Sequence, residues 1–178
     1  MNASTLQDLL DREAIRECLY RYCRGIDRCD EAALRASYWE DATDCHGAWN
    51  GSATGFIDQA LAKLSAGGRR VHQVSNILIE LHGNVAAVES SFIALQSTAA
   101  RPTKETLLCG RYVDRFERRS GAWRVAARTV VYDWIEERER PEFAQDNAAL
   151  FGARQPTAAA APHDAVYALL AAVRAKAP

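Results

Sequence analysis

Between residues 69 and 136 the chain runs through four long extended segments, and no other feature narrows the fold as far. They are residues 69–81, 84–97, 107–118 and 123–136. Val, Ile and Leu dominate the first, which has no internal Gly or Pro. A His82-Gly83-Asn84 turn joins the first two, residues 98–106 form a modest loop, and Arg119-Ser120-Gly121 makes a hairpin loop. Long strands joined by short links pair as an antiparallel meander.

The N-terminal half reads as helices. Over residues 4–28, Ile15, Cys18, Leu19, Tyr22 and Ile26 form a core-facing stripe at helical spacing, and Ser4 or Thr5 caps it with Gln7 in capping-box position. Asp30 caps a second helix over 31–39, followed by a turn at 40–44, a short strand over 45–49 and a turn at Asn50-Gly51. A third helix opens at Thr54 or Gly55 and stops at Gly67-Gly68. Helices first and strands after predict an α+β fold, with helices on one face of a curved, mostly antiparallel sheet. Such a sheet bends into a cone with a pocket in its mouth. The pattern breaks past 136: a charge run ends at Pro141, residues 142–151 suit a short helix, 155–162 an Ala/Pro linker, and 165–176 an Ala-rich helix. The expected organisation is one cone domain over 1–140 and a C-terminal extension over 141–178.

A chain of 178 residues suffices for one domain with a real core. A net charge of −1 gives no global attraction to nucleic acid or an anionic membrane. There is no apolar run long enough to span a bilayer and no secretory leader at the N-terminus. Five cysteines, an odd number with no Cys-x-x-Cys pair, read as free thiols in a reducing cytoplasm. No two histidines or carboxylates stand at metal-ligand spacing, so no metal is expected. Gly67-Gly68 follows a helix rather than opening one, which excludes a phosphate loop.

His72 sits near the start of the first long strand in apolar company, and a buried imidazole needs partners for its ring nitrogens. Asn76 lies four residues on, on the same face by strand periodicity, placed to orient a substrate or satisfy a backbone group. Asp27 ends the first helix, where the macrodipole disfavours a carboxylate, which points to a tertiary partner. Arg128 lies inside the last long strand, where a charge needs an ion pair, with Glu89 or Asp114 as candidates, or a polar cavity. Tyr22, Tyr38, Trp49, Phe56, Phe92, Tyr112 and Tyr132 fill core or pocket wall. His46 fits a place at the mouth or on the surface.

The chain resembles the SnoaL-like branch of the nuclear transport factor 2-like superfamily over roughly residues 6–136. The likeness rests on the early Asp11-Arg-Glu-Ala-Ile-Arg-Glu17 helix, Tyr22-x-x-x-x-Asp27, Tyr38-Trp-Glu-Asp-Ala42, His72-Gln-Val-Ser-Asn76, Tyr112-x-Asp-x-Phe-Glu117 and Gly121-x-Trp-x-Val-x-x-Arg128. Within it the chain is most similar to cofactor-independent lyases, such as hexachlorocyclohexane dehydrochlorinase, bile-acid 7α-dehydratase, scytalone dehydratase and lignin-dimer γ-formaldehyde lyase. The resemblance implies a cone-shaped α+β barrel and a base at His72 oriented by Asp27. It also implies a cation at Arg128 and a hydrogen-bonding phenol at Tyr22. No cofactor is implied. The expected reaction is proton removal with loss of water, halide or formaldehyde. The expected substrate is a small hydrophobic ring-bearing molecule, such as a steroid or a lignin-derived aromatic, and the expected assembly is a homodimer or homotrimer. A ketosteroid-isomerase-like isomerase or polyketide cyclase is the first alternative. A non-catalytic binding protein, or a structural partner like the small subunit of a ring-hydroxylating dioxygenase, is the second.

Overall fold

The computed structural model describes residues 3–98, 101–139 and 158–175. The elements are α1 (Ala3–Arg28), α2 (Glu31–Arg35), β1 (Tyr38–His46), β2 (Trp49–Ser52), α3 (Ala53–Leu64), β3 (Arg70–His82), β4 (Val85–Thr98), β5 (Arg101–Arg119), β6 (Ala122–Glu139) and α4 (Ala165–Arg174). The strands form one sheet in the order β2-β1-β6-β5-β4-β3. Neighbours pair antiparallel except β1 and β6, which run parallel. This is the expected α+β arrangement, but the sheet stays open, with β2 and β3 as its edges, rather than closing into a barrel.

Helix α1 packs against β3 and β6 through the predicted stripe: Ile15, Cys18, Leu19, Tyr22 and Ile26 are all buried. Burial of a large apolar side chain contributes about 1.5–3 kcal/mol, so this stripe is a main support of the helix. A polar clasp adds direction. Asp11 accepts from Trp123 Nε1 at 2.9 Å, from Arg118 Nη1 at 3.1 Å and from Gln7 Nε2 at 2.9 Å.

Three local expectations fail between 31 and 51. Helix α2 ends at Arg35 instead of 39, residues 40–44 are strand instead of turn, and the turn falls at Gly47-Ala48 instead of Asn50-Gly51. The cause is long-range. Tyr38 pairs with Val125, and residues 43–45 pair with 127–129 of β6, which local spacing does not reveal. His46 then pairs with Trp49, and Gly47 takes the positive φ of 62° that the tight turn requires. The loop expected over 98–106 is also mostly strand, since β5 begins at Arg101 and its residues 104–106 pair with the end of β6.

Two bulges set which side chains face the helices. In β3 the register slips between Ser75 and Leu78, and Asn76 adopts φ 48° there. Ahead of the slip His72 and Val74 face inward, and past it Ile79 and Leu81 do. In β6 a slip between Val125 and Ala127 puts Trp123, Val125 and Arg128 all in the interior, where strict alternation separates them.

Helix α4 docks beside the end of α1. Arg28 pairs with Asp164 at 3.2 Å, Tyr167 donates to Asp30 at 2.7 Å, and Ala161 N donates to Arg28 O at 2.7 Å. The short helix expected over 142–151 and the start of the 155–162 linker lie outside the described residues.

Candidate active site

Asp27 and His72 meet where the end of α1 crosses β3. Asp27 Oδ1 lies 2.7 Å from His72 Nδ1, and Asp27 Oδ2 accepts the His72 backbone N–H at 3.0 Å. Both side chains are about nine-tenths buried. An ionised carboxylate has no proton to give, so the ring hydrogen sits on Nδ1 and Nε2 keeps its lone pair. The carboxylate at a helix C-terminus is thereby matched by two donors from a strand.

His72, on β3, lines a partly open cavity of about 260 Å³ together with side chains from α1, β1, β2, α3, β4, β5 and β6. Tyr22, Phe92, Tyr112 and Tyr132 form one wall, and Phe56, Trp49 and His46 the other. Phe92 stacks on Tyr112 at 4.6 Å and meets Tyr132 edge-on at 6.1 Å. Gly110 lies beneath Phe92, where a Cβ would stand 2.9 Å from the ring. Asp27 does not line this cavity. It borders a second recess of about 570 Å³ on the outer side of β3, with Arg24, Arg28 and Gln73, so the pair lies between the two spaces.

Arg128 is 2% exposed and lies behind the aromatic wall rather than on it. Its Nε and Nη2 bind Asp114 at 2.8 and 2.7 Å. Its guanidinium carbon sits 4.2 Å from the ring centres of both Tyr22 and Tyr112. Nη1 has no hydrogen-bond partner among the described residues. Burial lifts the Asp114 carboxyl above its ordinary value even against the pull of Arg128. Burial likewise raises the Tyr22 phenol, so it remains a hydrogen-bond donor through the whole neutral range. Burial pushes the Cys23 thiol up to about 12 and Cys18 to about 11, which removes both as thiolate nucleophiles.

Of the predicted residues, Tyr22, His46, Trp49, Phe56, His72, Phe92, Tyr112 and Tyr132 come together on the cavity. Tyr38 is buried behind it, and Asn76 is exposed at the β3 bulge, apart from it. Sequence reasoning missed Asp44, which it placed in a turn. The side chain is fully buried and accepts the Tyr38 hydroxyl at 2.7 Å. The clue was the strand period: Tyr38, Ala42, Asp44 and His46 share one face of β1. Gln59, Lys63 and Gln96 were also missed on the lining. Among the described residues no cluster of three His, Cys, Asp or Glu is placed to hold a metal.

Helices resting on one face of an open six-stranded sheet, with an aromatic cavity between, define a fold of the nuclear transport factor 2-like superfamily. The chain belongs to the SnoaL-like domain family, whose sequence model matches residues 7–129. No curated protein sequence matches it closely enough to count as a relative. Among solved structures it is similar to a type 2 hexachlorocyclohexane dehydrochlorinase, at 20% identity and TM-score 0.69, covering 75% of this chain and 93% of that one. It is also similar to a Novosphingobium aromaticivorans protein assigned as a scytalone dehydratase, at 19% identity and TM-score 0.65, covering 78% and 97%. A third is the β subunit of an assigned aromatic-ring-hydroxylating dioxygenase from the same species, at 19% identity and TM-score 0.59, covering 72% and 93%. At such identities the likeness establishes the fold and leaves the chemistry to the site.

Proposed function

We propose that this protein is a cofactor-independent lyase acting on a hydrophobic ring-bearing substrate held in the aromatic cavity. One observation carries this reading: an imidazole that borders the cavity has its Nδ1 bound to a buried carboxylate at 2.7 Å. His72 Nε2 takes a proton from substrate carbon. The electron pair left behind forms a double bond, and the adjacent substituent departs with its bonding pair as hydroxide or halide. In a retro-aldol variant His72 takes a hydroxyl proton, the oxygen's electron pair forms the carbonyl of formaldehyde, and the pair of the broken carbon–carbon bond is taken up by an adjacent carbonyl of the substrate as an enolate. Asp27 keeps the tautomer and balances the imidazolium. Tyr22 donates to the developing oxygen charge, and Arg128 supports Tyr22 from behind rather than touching the leaving group.

The working state is a homo-oligomer in the cytoplasm. Five unpaired cysteines fit a reducing compartment, and no described helix is long and apolar enough to cross a membrane. The outer face of the sheet exposes Val71, Leu78, Ile93 and Val113, an apolar surface suited to a second copy.

The test is a mass-spectrometric screen of wild type and His72→Ala against ring-bearing alcohols, halides and lignin-type dimers, with no cofactor or metal added. A product lighter by water, acid or formaldehyde, made by wild type and lost in the variant, is expected. A product of unchanged mass would replace the lyase with an isomerase or cyclase, and turnover by His72→Ala would remove the base.

A further inference from the structure

A second histidine–aspartate pair faces the same cavity. His46 projects from the end of β1, and its ring stacks on Phe56 at 4.4 Å with an 18° tilt and meets Tyr132 edge-on at 6.3 Å. Behind it Asp44 is fully buried, with Oδ2 taken by the Tyr38 hydroxyl. Asp44 Oδ1 and His46 Nδ1 stand 3.5 Å apart, both are shielded from solvent, and neither has a hydrogen-bond partner among the described residues. Two buried polar atoms facing one another at this distance need only a small ring rotation to bond, and leaving both unmade is costly.

The orientation follows. A hydrogen on Nδ1 has Asp44 Oδ1 to point to, which leaves Nε2 as an acceptor. Nδ1 is buried while the side chain is 22% exposed, so the accessible part of the ring, on the cavity, lies elsewhere than Nδ1. The flanking Phe56 and Tyr132 rings offer apolar surface and no competing charge. The cavity volume of about 260 Å³ equals that of about nine waters at roughly 30 Å³ each, which suits one or two fused rings.

We propose that His46, positioned by Asp44, is a specificity-determining residue that accepts a hydrogen bond from a hydroxyl on a one- or two-ring ligand. This deepens the lyase reading, since it takes the same cavity as the substrate site. It narrows the substrate class to ring compounds carrying a neutral hydroxyl, such as phenols, away from the reacting carbon at His72.

Equilibrium dialysis of the full chain at pH 7 with 2-naphthol and with 2-fluoronaphthalene, a near-isostere that cannot donate, tests this. Wild type should prefer 2-naphthol by about three- to tenfold, the size of one net hydrogen bond. The preference should disappear in His46→Phe and return in part in His46→Gln, whose side chain can accept. The ¹⁵N resonance of His46 Nε2 in wild type should shift with 2-naphthol and not with the fluoride, a reading that needs no variant to fold. Equal binding of the two probes by wild type, an unmoved Nε2 resonance, or a preference that survives His46→Phe would overturn the assignment. Because no turnover is read, these outcomes are independent of whether His72 is a base.

Discussion

Asp27 holds His72 at two points, the ring through Nδ1 at 2.7 Å and the backbone through its N–H at 3.0 Å. One carboxylate thus fixes a side chain and the strand that carries it. Asp27→Asn keeps an acceptor for the backbone N–H but loses the charge that stabilises an imidazolium. The expected result is a turnover loss of about 10²–10⁴-fold with an unchanged melting curve. Initial rates on whichever substrate the mass screen identifies, beside a thermal melt, provide the check.

The Arg128–Asp114 pair is fully buried, so its two halves are unequal to their sum. Asp114→Ala leaves a guanidinium without its counter-charge and should cost about 3–5 kcal/mol. Replacing both together, Asp114→Leu with Arg128→Met, should recover most of that stability while lowering activity. Urea midpoints of the two variants separate these effects, and equal destabilisation in both would show that the pair is not the cause.

Helix α4 should be held only within a pH window. The N–H groups of Ala159 and Val166 keep Asp164 below its ordinary 3.8. A depressed folded value means this stabilisation is complete above the unfolded pKa and is lost as pH falls through the folded one. Burial, with the bond to Asp30, pushes Tyr167 up to about 12 from an ordinary 10. A raised value means its contribution is complete below 10 and is lost as pH rises toward 12. Protection of the α4 amides, relative to the intrinsic exchange rate at each pH, should therefore fall below about pH 4 and above about pH 10 while the sheet stays protected. Uniform exchange across both elements would contradict this.

Gly110→Ala tests the aromatic wall. The added Cβ meets the Val131 carbonyl and the Phe92 ring, so Phe92 must leave its stack on Tyr112. A loss of about 1–3 kcal/mol is expected, together with weaker binding of ring compounds. Chemical denaturation and the naphthol dialysis read the two effects separately.

Ile93 is half-exposed on the outer sheet face, directly across from Gln73 and Cys109. Ile93→Asp should shift the protein to monomer in sedimentation velocity without altering its circular dichroism. Retention of the wild-type assembly would place the interface elsewhere.

Much of this protein is written locally in its chain. The 3.6-residue stripe of α1 and the extended runs of β3 to β6 are periodic patterns whose physical cause, burial of one face, acts within each element. Of the eight predicted side chains that the structure gathers on the cavity, five (Tyr22, His72, Phe92, Tyr112 and Tyr132) lie in these elements. The start of β1 was not legible, because residues 38–44 take their strand form through pairing with β6, some eighty residues away, as well as with the neighbouring β2. Asp44 was lost with it. The bulges at Asn76 and Ala126 were not legible either, and each changes which face later residues present. Tertiary packing alone decided that Arg128 lies behind Tyr22 and Tyr112, bound to Asp114, rather than on the cavity surface. A strand's period specifies alternation, but phase and pairing depend on contacts between distant segments, and those are set only when the sheet forms.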